Sequence, residues 1–234
     1  MRPHSVFPIG IDDLPLPEVV RLCLELGKFR YVVTPNVDHM CRIYDDVEMR
    51  RLYEEADLCV CDSKILQYIA TLKGAPVKNV VRGSDLVFAI LNEIPKDRRV
   101  FVLGSHDDLG PAVSSRFGLR HVGVMSPPFG FEHEAEEMDR VLKAIKAFDA
   151  SLILLAVGSP RQEIVARHLA SILDSGVAVC CGAAVSFAVG DVKRAPRWMS
   201  AIGAEWLYRM LQDPKRLLPR YAGNLQIFRK AFLK

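Results

Sequence analysis

Apolar positions along the chain follow two rhythms that take turns. Residues 16–27 (LPEVVRLCLELG) carry them at helical spacing and stop at Gly27, a C-cap signal. Residues 30–34 form a strand-like run that ends in Thr34-Pro35-Asn36, and helical spacing resumes from about 37 to 55. Leu58-Cys59-Val60-Cys61 is a second strand with Asp62 at its tip, followed by a helix over 63–72. Residues 77–81 predict a short strand, and Ser84 or Asp85 can cap a helix that runs to about 92. A fully apolar strand at 100–103 closes on Gly104-Ser105, and a helix is expected from 107 to 117. A weaker strand at 121–125 leads into Ser126-Pro127-Pro128-Phe129-Gly130, a loop because adjacent prolines bar a helix. After a helix over 134–147 comes the strongest strand, 152–157. Gly158-Ser159-Pro160-Arg161-Gln162 then turns into another helix, and 177–181 is the last core strand, ending at Gly182.

Strands apolar on both faces that alternate with helices predict an α/β fold. The sheet is parallel and Rossmann-like, with helices covering both faces. Residues 1–190 make the core and 191–234 a basic, aromatic, helical C-terminal appendage. In such sheets ligands sit beyond the carboxyl ends of the strands. The strand tips therefore gather Thr34, Asn36 and Asp38; Asp62; Gly104 and Ser105; Gly158 to Gln162; and Gly182 along one edge.

Charge sharpens the division of the chain. From Lys193 to Lys234 there are ten Lys and Arg against two acids, Glu205 and Asp213, while the whole chain carries only +3. A mildly acidic body thus ends in a basic segment holding both tryptophans, Trp198 and Trp206. That asymmetry predicts an anionic partner: phosphates, nucleic acid or a membrane surface. Nucleic acid is disfavoured because the acidic body offers no basic groove. No apolar run reaches a membrane span, and the N-terminus lacks a signal-peptide core, which predicts a cytoplasmic protein. The six cysteines form no C-x-x-C pair and read as buried thiols rather than zinc ligands or disulfides.

Asp62 has two readings of equal weight: a carboxylate placed to accept a proton, or the N-cap of the helix after it. Ser159, Pro160 and Gln162 fit N-cap, N1 and N3 of a capping box, and Arg161 beside that helix start suits a phosphate. Arg82, next to Gly83-Ser84-Asp85, is a similar arginine at a helix start. His39 reads as a helix-surface residue. No dinucleotide fingerprint, Walker loop, nucleophile elbow or metal-ligand spacing is present, so no cofactor and no resident metal are expected.

Thr34-Pro35-Asn36, Asp62, Gly83-Ser84-Asp85-Leu86, Gly158-Ser159-Pro160-Arg161-Gln162-Glu163 and Gly182 recur together with two later motifs. These are Gly190-x-x-Lys193-Arg194-Ala195-Pro196-x-Trp198 and Glu205-Trp206-Leu207-Tyr208-Arg209. In this order and spacing the chain resembles the WecG/TagA/CpsF family of bacterial glycosyltransferases from about residue 7 to 225. The resemblance implies inverting, metal-independent transfer of a hexose, N-acetylmannosamine-type or glucose-type, from a UDP-sugar to a polyprenyl-diphosphate-linked sugar in cell-surface polysaccharide synthesis. It implies Asp62 as the base, with Thr34 and Gln162 in the site, and an appendage that meets the inner face of the cytoplasmic membrane. Asn36, Arg82, Gly104, Gly158, Arg161, Gln162 and Gly182 are then expected against substrate. Arg194, Arg209, Arg216 and Arg220 are expected to bring cations from the appendage. Closure of that tail would exclude water from a body that folds without residues 193–234. A homo-oligomer stays open. The rival readings are a non-catalytic anion-binding protein that uses the basic tail, and a sugar-nucleotide epimerase or dehydrogenase, which the missing fingerprint disfavours.

Overall fold

A computed structural model describes residues 7–104, 106–192 and 223–232, and between the last two segments positions 199, 207, 208, 211, 214, 215 and 218. Six strands form one sheet: β1 (Arg30–Val33), β2 (Leu58–Cys59), β3 (Arg99–Leu103), β4 (His121–Met125), β5 (Leu152–Leu155) and β6 (Val177–Cys180). Every pair is parallel, in the order β2-β1-β6-β5-β3-β4. The central strands β5 and β6 are buried at every residue, which is why their sequence is apolar without alternation.

Alternation is still present, but it divides the side chains between two cores. Tyr31, Val33, Ile153, Leu155, Ala178 and Cys180 join one core. Val32, Leu152, Leu154, Val177 and Val179 join the other. The first core is closed by helices α2 (Val37–Asp45), α3 (Val47–Glu54), α4 (Lys64–Leu72), α7 (Ala135–Phe148) and α8 (Arg161–Ala170). The second is closed by α1 (Leu16–Leu24), α5 (Gly83–Glu93), α6 (Leu109–Phe117) and α9 (Ala184–Val189). The expected two-sided α/β sheet is the observed one.

A last helix, α10 (Gln226–Phe232), packs on α2 and buries Ile227 and Ala231 in the first core. Lys73 Nζ donates to the Ala231 carbonyl at 2.7 Å, and Lys230 Nζ donates to the Cys41 carbonyl and pairs with Asp45. The two tryptophans lie outside the described residues. All six cysteines are buried and unbridged, and burial pushes the Cys23 and Cys61 thiols up to about 12.

Three local expectations are corrected. The helix expected over 37–55 is two helices, because the Asp46 carboxylate accepts from the amides of Glu48 and Met49 and starts a second one. Residues 77–81 are not a strand. Their amides turn to a carboxylate: Lys78 and Asn79 donate to Asp13, and only Val81 reaches a strand-side carbonyl, that of Cys61. Burial works against charge on Asp13, yet these amides hold its carboxyl below the ordinary value. The capping box at α8 is absent. Pro160 takes the N-cap position without a side-chain cap bond, after a cis Ser159-Pro160 peptide, and Gln162 bonds elsewhere.

Candidate active site

The tips of β1, β2 and β6 meet the first turn of α5. Thr34 is buried and its Oγ1 donates to the Cys180 carbonyl at 3.4 Å, joining the tips of β1 and β6. The Asp62 amide donates to the Pro35 carbonyl, so the turn after β2 is pinned to the turn after β1. Ser63, not Asp62, caps α4: its Oγ accepts from Leu66 N. Asp62 is thereby released from the capping role that the sequence leaves open. Its Oδ2 instead accepts the Gly83 amide at 3.1 Å, at the start of α5. That helix has no side-chain cap of its own on Arg82, and the half-buried Asp62 carboxylate meets its N-terminus from the neighbouring turn. A Cβ on residue 83 would stand 3.2 Å from Thr34 Oγ1 and 3.5 Å from Asp62 Oδ2. Glycine here lets Thr34 and Asp62 come together.

Across β6, Gln162 is buried and both ends of its amide are engaged. Its Oε1 accepts from Gly182 N at 2.8 Å, and its Nε2 donates to Glu163 Oε1 at 2.8 Å. Tyr53 on α3 donates to the same Glu163 oxygen at 2.9 Å. Gly182 (φ +51) and Gly158 (φ +81) hold left-handed backbone that favours glycine at both turns. Burial pushes the Glu163 carboxyl above its ordinary range, against the bonds from Gln162 and Tyr53. Burial and the neighbouring Glu163 push the Tyr53 hydroxyl well up.

Other expected residues divide. Asn36 follows the tip of β1, and its Oδ1 caps α2 by accepting from Asp38 N and His39 N. Arg82 pairs with Asp85 at 3.5 Å. Gly104 is explained by packing: a Cβ would lie 2.5 Å from Leu109 Cδ1, and its amide donates to the Met125 carbonyl. His39, expected on a helix surface, is buried beside the Tyr53 ring. Ser105, Arg194, Arg209, Arg216 and Arg220 lie outside the described residues.

Three residues carry contacts that the sequence reading did not assign. Tyr53 and Glu163 are polar groups inside the first core, brought together by α3 and α8. Arg42 spans Asp38 Oδ2 at 3.0 Å and the Ser159 carbonyl at 3.3 Å, tying α2 to the turn before α8. The i, i+4 spacing of Asp38 and Arg42 was the available signal for that pair. Tyr53 gave none, since its partner stands 110 residues away.

The family model described as Glycosyl transferase WecG/TagA/CpsF family matches residues 4–234. The chain belongs to the WecG/TagA/CpsF glycosyltransferase family. Its members serve cell-surface polysaccharide synthesis, which implies a sugar donor and an acceptor; the candidate strand-tip residues are Thr34, Asp62, Gly83, Gln162 and Gly182. Among the described residues of this glycosyltransferase, no helix is long and apolar enough to cross a membrane. An open groove between α4 and α10, lined by Ile65, Tyr68 and Phe228, includes none of these strand-tip residues.

Proposed function

We propose that this glycosyltransferase transfers a hexose from a UDP-sugar to a polyprenyl-diphosphate-linked sugar at the inner face of the cytoplasmic membrane, inverting the anomeric centre without a metal. The observation that carries the reading is the Asp62 carboxylate, held by the Gly83 amide beside Thr34 at the carboxyl edge of the sheet. An inverting transfer needs one base on the acceptor side. Asp62 takes the proton from the acceptor hydroxyl as its oxygen bonds to the anomeric carbon, and the bond to UDP breaks on the opposite face. The Gly83 amide fixes the carboxylate plane, and Thr34 lines the approach.

The departing diphosphate carries charge that must be met by oriented donors. Arg161 at the start of α8 is one, and Arg194, Arg209, Arg216 and Arg220 of the 191–234 segment are proposed as others. Ten Lys and Arg beside two tryptophans suit the interface where a lipid diphosphate lies.

The test is UDP release from a panel of UDP-sugars with a synthetic lipid-diphosphate-sugar acceptor, for wild type and Asp62→Asn, with and without EDTA. Acceptor-dependent release from one donor, reduced about 10²- to 10⁴-fold in Asp62→Asn and indifferent to EDTA, is expected. A full rate in Asp62→Asn overturns Asp62 as base. Loss with EDTA overturns metal independence. Absence of both release and UDP binding overturns the UDP-sugar reading.

A further inference from the structure

Phe129 is 91% exposed, against 69% for the next most exposed large apolar residues described, Leu211 and Leu225. This exposure is built, not incidental. The Phe131 amide donates to the Pro128 carbonyl at 3.2 Å, and Gly130 sits at φ 88, ψ 3. That closes a turn over 128–131 with glycine at the position where type II geometry requires positive φ. Phe131 is buried in the first core and anchors the turn. Pro127 and Pro128 stiffen its entry. The turn therefore points one phenyl ring inward and presents the other to solvent.

A cation meets the exposed ring. The Arg161 guanidinium carbon lies 4.9 Å from its centroid. Among the described residues this guanidinium makes no hydrogen bond or ion pair, and its five N–H donors suit an anion. Arg161 opens α8, directly after the Gly158 turn at the end of β5. The tip of β5 is two strand spacings, about 10 Å, from the tip of β1 where Thr34 stands. An apolar partner or a lipid tail would use the ring but leave a bare guanidinium unmatched. A nucleotide uses both, with a base against the ring and phosphates on the arginine.

We infer that Phe129 is the stacking platform for the nucleobase of the donor and that Arg161 binds the adjoining diphosphate. This rests on the UDP-sugar reading above and adds to it the residue that holds the base. Arg161 covers one face of the ring, the other receives the base, and the diphosphate runs from Arg161 toward the Thr34–Asp62 pair.

The test is calorimetric binding of UDP and of inorganic pyrophosphate to the full chain, in wild type, Phe129→Ala, Phe129→Tyr and Arg161→Ala. Phe129→Ala should weaken UDP about tenfold to a hundredfold and leave pyrophosphate unchanged. Phe129→Tyr should keep wild-type affinity, and Arg161→Ala should weaken both ligands. An exposed ring is not needed for folding, so melting temperatures should match. UDP affinity unchanged in Phe129→Ala overturns the platform and leaves the UDP-sugar reading standing. Failure of wild type to bind UDP overturns both. Phe129→Ala losing affinity for anionic lipid vesicles but not for UDP would assign the ring to a membrane surface and overturn the inference.

Discussion

Gly83 donates its amide to Asp62 Oδ2 at 3.1 Å, so the first residue of α5 holds the carboxylate that stands beside Thr34. The absence of a side chain at position 83 sets that spacing. Gly83→Ala removes the flexibility of a glycine from a helix, which leaves stability unchanged or raises it by up to about 1 kcal/mol. Its methyl group nevertheless presses on Thr34 Oγ1 and Asp62 Oδ2. Transfer should fall about a hundredfold while the melting temperature holds. Parallel loss of both would mean that the methyl damages the fold, and the site-specific role of Gly83 would fall.

Glu163 is predicted to matter through its acceptor oxygen rather than its charge. Glu163→Gln keeps an oxygen for Tyr53 and Gln162 and should retain transfer. Glu163→Ala leaves the buried Tyr53 hydroxyl without this acceptor, a loss of about 1–3 kcal/mol, and lets Gln162 turn away from Gly182. Equal activity in the two variants would remove Glu163 from any positioning role.

The same residue gives a pH dependence with a definite sign. Burial raises the folded-state value of the Glu163 carboxyl, and Tyr53, Ser159, Gln162 and Cys180 are the groups around it. The stability linked to its proton is present below the ordinary carboxyl range and is lost as pH rises through the folded value. Glu163→Gln cannot ionise. Its melting temperature relative to wild type should therefore climb between pH 4 and pH 8, and a flat difference would show that Glu163 titrates as it does in the unfolded chain.

α10 is predicted to be part of the body's cooperative unit. Ile227 is fully buried against α2, so Ile227→Ala should destabilise the whole transition by about 2–5 kcal/mol in denaturant unfolding. Removing residues 193–234 strips this packing as well as the basic segment, so lost transfer in that truncation would not by itself report on closure. A truncation that keeps the wild-type midpoint would place α10 outside the cooperative core.

Gly104 offers a way to separate packing from binding. Gly104→Ala should cost about 1–3 kcal/mol through overpacking against Leu109, with partial recovery when Leu109→Val is added. Weakened UDP binding at unchanged stability would instead return Gly104 to the substrate.

The strands were legible because each is a short apolar run bounded by turn residues, and their parallel direction followed from the helices between them, while their order in the sheet did not. The break at Asp46 was not. Asp45-Asp46 reads as solvated helix surface until the side chain of Asp46 is seen to bond forward to two amides. Asp62 was ambiguous for a physical reason: a carboxylate at a strand tip suits either a proton or a helix start. The adjacent Ser63 takes the cap of α4, and Asp62 accepts the first amide of α5 instead. Gln162 misled because a Ser-Pro-Arg-Gln run has capping spacing, whereas its true partners, Gly182 and Glu163, come from a turn twenty residues on and from its own neighbour. Phe129 was visible only as loop, since nothing local in Pro-Pro-Phe-Gly says which phenyl turns outward.

The division of the strands between two cores has a bearing on how this enzyme could diversify. α5, which carries Gly83 against Asp62, packs on one face of the sheet, and α8, which carries Arg161 and Gln162, packs on the other. Val32 and Val33 are neighbours in sequence yet answer to opposite helices. On the function proposed above, changes beneath α8 would bear on Arg161 and Gln162, and changes beneath α5 on the Gly83 amide that holds Asp62. If that function holds, the two halves of the site would answer to different layers of packing and could drift as separate traits within one sheet.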